Sequence, residues 1–256
     1  MLIYQNKNKI LFPFVFIIVW QLLSVSGILP PNRIPSPFEI ISALKELLIT
    51  GLPQGKILFY HCLFSLIRVL GGFMAAAAVA IPLGIVLGRS KRLHDMFIPI
   101  IEIIRPVPPL AWIPLAILWF GIGLKSAVFI IFLGCFFPII LSTISGVLSV
   151  DKVLIDAAKT LGAEECDLFY KVLLPGSFPS IYTGLRIGMG IGWMTLVAAE
   201  FTGVKSGYGV GYMIMTARDI QRPDFILAGM VTIGLIGFFL DLLLRFWESR
   251  ALRWRE

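Results

Sequence analysis

The sequence predicts an all-α protein that crosses a membrane about six times, and three observations carry that prediction. Apolar residues other than glycine make up 58% of the 256 residues and charged residues only 14%, whereas a soluble domain holds roughly 45–50% apolar residues even with glycine counted. Apolar runs of about twenty residues, the length a bilayer demands, recur along the chain. Basic clusters and one polar insert, residues 151–175, separate them. The formal charge of +7 would invite a nucleic-acid reading in a soluble chain, but in a membrane protein basic residues first report topology, so no nucleic-acid partner is read. Cys62, Cys135 and Cys166 lie far apart and His61 and His94 have no partner pattern, which argues against metal or redox chemistry.

Taken in order, residues 10–29 form the first apolar run, preceded by Lys7 and Lys9. A cleavable signal is the rival reading, because Ser24-Val25-Ser26 offers small residues at a possible cut; a retained span is favoured, since the run continues past that point. Residues 30–55 are more polar, with Ile40, Ile41, Leu44, Leu47 and Leu48 at helical spacing, and are expected to form an external loop with a short surface helix. Residues 62–87 are the second span. Gly71, Gly72, Ala75 to Ala78 and Gly84 let helices pack closely in lipid, Gly88 is expected to close the helix, and Arg68 is expected to snorkel toward the headgroups, with substrate attraction the less favoured alternative.

Residues 97–121 carry a third span broken by Pro106, Pro108, Pro109 and Pro114, which cannot donate backbone hydrogen bonds. Irregular backbone at that depth is tolerated only where it is buried in protein or lines a cavity. Glu102 and Arg105, three residues apart, are expected to pair. Residues 128–150 form the fourth span and residues 181–201 the fifth. Gly184, Gly188, Gly190 and Gly192 of the fifth present a small-residue face for another helix, with the same helix of a second copy one possibility. Gly203, Gly207, Gly209 and Gly211 follow as a flexible external turn. Residues 225–247 are the last span, with Asp241 facing the bundle.

The polar insert reads as two short helices joined by a bend. Asp151 can cap the first, whose Val153, Leu154, Ala157, Ala158 and Leu161 form one apolar stripe. Gly162 closes it in the left-handed conformation. Glu164 and Glu165 favour the start of the second helix through its dipole, and Pro175 is expected to end it. Small Ala157 and Ala158 would let a partner approach the backbone.

The spacing of Asp156-Ala157-Ala158, Gly162, Val172 and Leu174-Pro175 resembles the EAA loop of permease subunits of binding-protein-dependent ABC importers, with Asp156 where Glu is commoner and Val172 where Ile is commoner. In that family this loop is the coupling helix that seats in a groove of the ATP-hydrolysing subunit. The string RPVPPLAWIPLAILWFG, residues 105–121, is similar to the corresponding segment of the nitrate, sulfonate, bicarbonate and taurine branch. The resemblance covers about residues 63–247. It implies a type I (MetI-like) permease fold, with an N-terminal helix and external loop in residues 1–56, the transmembrane domain in 57–250 and a tail in 251–256.

It further implies a pathway for a small anionic solute such as taurine, an aliphatic sulfonate or nitrate. The implied partners are ABC ATPase subunits, which hold the ATP and magnesium, a second permease copy, an extracytoplasmic solute-binding protein and membrane lipid; no cofactor is expected on this chain. Pro108, Pro109, Trp112, Met194 and Glu200 are the candidate pathway residues, although Trp112 also suits an interfacial anchor and Glu200 a cap or an ion pair.

Topology points the same way. With the amino terminus inside, inner segments hold thirteen Lys and Arg and outer segments seven, so both termini and the insert are expected in the cytoplasm. The nearest approach to a phosphate loop, residues 51–57, is one residue short and lacks the magnesium-binding hydroxyl, so the ATPase is expected to be another chain. The alternative, a transporter or channel driven by an ion gradient, would normally carry intramembrane carboxylates. This chain offers only Glu200 and Asp241, near span ends.

Overall fold

The computed structural model describes residues 2–30, 33–201 and 207–253, with side chains from residue 12 onward. Gly203 and Lys205 of the expected external turn, Lys7 and Lys9 as side chains, and Arg255 of the tail fall outside that description. All regular secondary structure among the described residues is helical, without strands. They run α1 (Leu2–Val25), α2 (Pro37–Ile49), α3 (Leu58–Arg89), α4 (Lys91–Ile104), a 3-10 turn (Pro109–Trp112), α5 (Ile113–Phe120), α6 (Leu124–Leu148), α7 (Lys152–Thr160), α8 (Glu165–Asp167), a π-helical turn (Leu168–Leu173), α9 (Leu174–Phe201), α10 (Val210–Asp219) and α11 (Pro223–Ala251).

Among them α3, α6 and α11 are long and apolar enough to cross a membrane, and α4 with the Pro109–Phe120 segment makes a fourth candidate bent by 82°. The break falls at Pro106, Pro108 and Pro109, which have no backbone donors, whereas Pro114 lies in the first turn of α5 and breaks nothing. α9 has the length to span, at 28 residues, but its glycines and Arg186 lower its hydropathy. Many large apolar side chains point outward, including Phe12, Phe14, Phe16, Phe238, Phe239 and Phe246. That outward display is what a lipid solvent permits and water does not.

The chain divides into two compact units. The first comprises Met1–Phe64 and Gly207–Ile236. Its α2 starts in a capping box, with the Glu39 amide donating to Ser36 Oγ at 3.2 Å and the Ser36 amide donating to Glu39 Oε2 at 2.6 Å. This fixes two otherwise orphaned donors. Ile40, Ala43 and Leu47, at three-to-four spacing, then bury against Leu58, against Val210, Met213, Ile214 and Ala217 of α10, and against Phe225 and Ala228 of α11. The helix expected on a surface is thus part of a core.

From residue 207 onward the expected external turn is likewise not open chain. Gly211 is buried within α10, whose 210, 213, 214, 217 spacing is the helical signal that the glycines obscured. Around its start, Lys56 Nζ donates to the Gly207 carbonyl at 3.1 Å, the Gly209 amide donates to His61 Nδ1 at 3.0 Å, and Tyr208 stacks on Phe64 at 5.0 Å between centroids.

The second unit comprises Ser65–Ser206 and Gly237–Glu256. Its centre is α6, packed between α3 and α9 through small residues. A Cβ on Gly84 would come within 2.7 Å of Thr143 Cβ, and one on Gly184 within 2.6 Å of Ser142 Cβ. Neither leaves room for a side chain. Gly184, Gly188 and Gly192 abut α6 of the same chain, whereas a Cβ on Gly190 would meet nothing within 4 Å. The four-residue period puts the first three on one stripe and Gly190 across the helix. Gly88 does not close α3; it lies inside the helix against Val147.

Arg68 is not at the headgroups either. Its side chain is 3% exposed and pairs at 2.6 Å with Glu200, 1% exposed, which also accepts from Ser65 Oγ at 2.8 Å. Two buried opposite charges satisfy each other where one alone would be very costly. Asp241 of α11 pairs with Arg186 of α9 at 3.0 Å and with Arg245 at 2.7 Å.

Candidate functional site

Two features of the second unit hold the chemistry. The first is the polar insert. Asp151 Oδ1 accepts from the Val153 amide at 2.9 Å and caps α7. At the other end the Gly162 amide donates to the Lys159 carbonyl and the Ala163 amide to the Ala158 carbonyl, both at 3.0 Å. Those are the paired bonds of a Schellman stop, and they require the left-handed backbone that Gly162 supplies at φ +83°. Nothing lies within 4 Å of where its Cβ would be.

α7 buries no residue. Its apolar stripe faces outward, with Val153 69%, Leu154 57% and Leu161 88% exposed. Asp156 and Ala157 are exposed beside it and Ala158 is half-buried. By contrast Val172, Leu174 and Pro175 are half-buried, and Leu168 is buried. The motif therefore divides between an outward face on α7 and a supporting second segment.

Pro175 does not end that second segment. α8 continues through the π turn of Leu168–Leu173 directly into α9. In a π turn the bonds run to the fifth residue back, and Pro175, which has no N–H to give, lies just past that turn within the continuous helical run. An exposed ion pair from Arg89, the last residue of α3, to Glu165 ties the segment to α3.

The second feature is a cleft at the break in the third span. Arg105, the cap of α4, lines a cavity of about 330 Å³ together with Pro109, Phe137, Pro138, Ser142 and Ile187. An adjoining cavity of about 370 Å³ is lined by Arg105, Leu141, Ser142, Ser145, Ser180 and Thr183. Among the described residues Arg105 forms no ion pair, so the expected Glu102–Arg105 bridge is absent. Instead Arg105 shares the lining of both cavities with residues of α6 and α9.

Of the candidate pathway residues, Pro109 lines this cleft and Pro108 caps the 3-10 turn. Trp112 is half-buried, Met194 is 75% exposed on α9, and Glu200 is enclosed with Arg68. Arg105 itself was not singled out by motif. The hydroxyls at 142, 145, 180 and 183, spaced by three on two spans, were the signal that could have found the cleft.

Residues 80–253 match the family described as binding-protein-dependent transport system inner membrane component. The chain belongs to that family. Among its relatives, a protein of Methanocaldococcus jannaschii described as an ABC transporter permease is 45% identical over 97% of this chain and 92% of its own length. The taurine transport system permease TauC of Escherichia coli is 40% identical, covering 94% and 86%. The bicarbonate transport system permease CmpB of Synechococcus elongatus is 33% identical, covering 93% and 87%. In fold the permease is similar to a chain of the MetNI methionine ABC transporter in an inward-facing conformation, with TM-score 0.59 and 20% identity over 84% of this chain and 95% of that one. The permease is thus a multi-pass membrane subunit of an ABC importer with the type I architecture, and the ion-gradient alternative falls away.

Proposed function

We propose that the permease forms, with a second copy of itself, the pathway by which a small solute with an anionic head, such as taurine, an aliphatic sulfonate or nitrate, enters the cell, and that α7 is the handle by which a separate ATPase drives it. The observation that carries this reading is the exposed apolar stripe of Val153, Leu154 and Leu161 on a helix that buries nothing. A water-facing helix leaves such a stripe open when a partner covers it. ATP and magnesium belong to that partner, and an extracytoplasmic binding protein delivers the solute from the other side. The permease contacts lipid through its outward apolar side chains, and both termini and the insert lie in the cytoplasm.

ATPase closure would move the two coupling helices, and each would carry the motion into α6 and α9 as a rigid lever. The central cavity then opens to opposite sides in turn. The experiment is a Gly162→Val permease expressed with its ATPase and binding protein. Expected is a normal amount of permease in the membrane, loss of ATPase co-purification and loss of taurine or sulfonate uptake. Normal co-purification together with normal uptake would refute the handle.

A further inference from the structure

We infer that Arg105 is an anion-contact residue of the permeation cleft, and that Ser142, Ser145 and Ser180 complete a loose site for a small oxyanion, with room beside it for a short alkyl group. This deepens the transport reading above and rests on it for its meaning, though not for its test.

Arg105 sits where the broken span turns, with three prolines among the four residues that follow it. Its guanidinium cannot lose its charge near neutral pH and presents several donors in one plane, which suits a carboxylate, sulfonate or nitrate. Among the described residues the Arg105 side chain has neither ion pair nor hydrogen bond, although Glu102 lies only one turn back along α4. Its side chain is exposed to the open cleft, and a cationic group lining such an opening draws anions toward it.

The rest of the cleft answers the same chemistry. Ser142 and Ser145 on α6 and Ser180 on α9 line the cavity that shares Arg105, and among the described residues none of these three hydroxyls is engaged. Thr183 is different, since its hydroxyl already donates to the Pro179 carbonyl at 3.0 Å. Phe137, Leu141 and Ile187 supply an apolar wall beside them. A charged head could meet Arg105 and the serines while a short alkyl group lies on that wall. One charge with a few hydroxyls, in a cleft that is not sealed, holds an anion weakly, as conduction needs.

The test uses the full permease–ATPase complex in membrane vesicles, with Cys62, Cys135 and Cys166 replaced by alanine and Ser142→Cys introduced. The probes are two thiosulfonate reagents of similar size, one ending in a sulfonate and one in a trimethylammonium. With Arg105 present, the anionic reagent should gain roughly 25-fold over the cationic one relative to the same protein carrying Arg105→Gln, since a unit charge about 4 Å away in water speeds the anion and slows the cation by roughly fivefold each. Arg105→Lys, which keeps the charge, should keep most of that preference. A ratio indifferent to Arg105→Gln, or a thiol at position 142 that neither reagent reaches, overturns the site.

Radiolabelled taurine, ethanesulfonate, nitrate and bicarbonate are then offered to complete transporters. Where one is accumulated, Arg105→Gln should lower its maximal uptake rate about tenfold and Arg105→Lys far less; an unchanged rate overturns the site. Accumulation of none of the four by the unmutated permease refutes the cargo reading, while the reagent ratio still decides the site.

Discussion

The pair of Arg68 and Glu200 shows how much rests on single side chains. Both are all but fully enclosed, so removing one partner leaves a buried charge unanswered. Glu200→Gln should destabilise the purified permease by about 3–5 kcal/mol, the usual cost of breaking a buried pair, read as a fall in its thermal midpoint. Replacing both residues by apolar ones should cost much less than the two single changes together. Equal and additive losses would show that the pair is not coupled.

Asp167 behaves differently because it is exposed. A hydrogen bond from Lys171 holds its carboxyl below the ordinary carboxylate range. The stabilisation is therefore complete above the unfolded value near 3.9 and fades as pH falls through the lowered folded value. ATPase co-purification should accordingly not vary with this residue between about pH 5 and 8, which Asp167→Asn checks directly.

At the scale of elements, the contact between α6 and α9 decides the second unit. Gly184→Leu would force a side chain into Ser142 and should cost at least about 1–3 kcal/mol, as overpacking does, whereas Gly190→Leu, facing open space, should be tolerated. Thermal melts of the two variants compare them. The glycine stripe was plain in the sequence, but whether its partner was α6 or a second copy was not, because small residues advertise close approach without naming what approaches. The broken third span and the two-part insert were also legible, since proline and glycine act locally. The destination of Arg105 was not: a helix cap three residues from a carboxylate reads as an ion pair until the bend turns it toward α6. α10 was hidden for a related reason, its apolar spacing diluted by glycines whose role is set by contacts with distant residues.

At the scale of the whole molecule, the outward phenylalanines, the bent span and the exposed handle belong to a subunit that works in company. Detergent-purified permease with its ATPase should give, by native mass spectrometry, two copies of each chain. A single permease copy per assembly, or a second unlike permease, would refute the homodimer. Lys159 should be labelled by an impermeant amine reagent only in inside-out vesicles; labelling in intact cells would reverse the topology.

The π turn at Leu168–Leu173 has a consequence for how force travels. Because α8 runs into α9 without a flexible joint, a push on the insert arrives as torque along a 28-residue rod instead of being lost in slack chain. A π turn amounts to one extra residue wound into an α-helix, so deleting Tyr170 would rewind the rod and swing everything before it by roughly 100°. The transporter would keep every contact surface it has, aimed in the wrong direction.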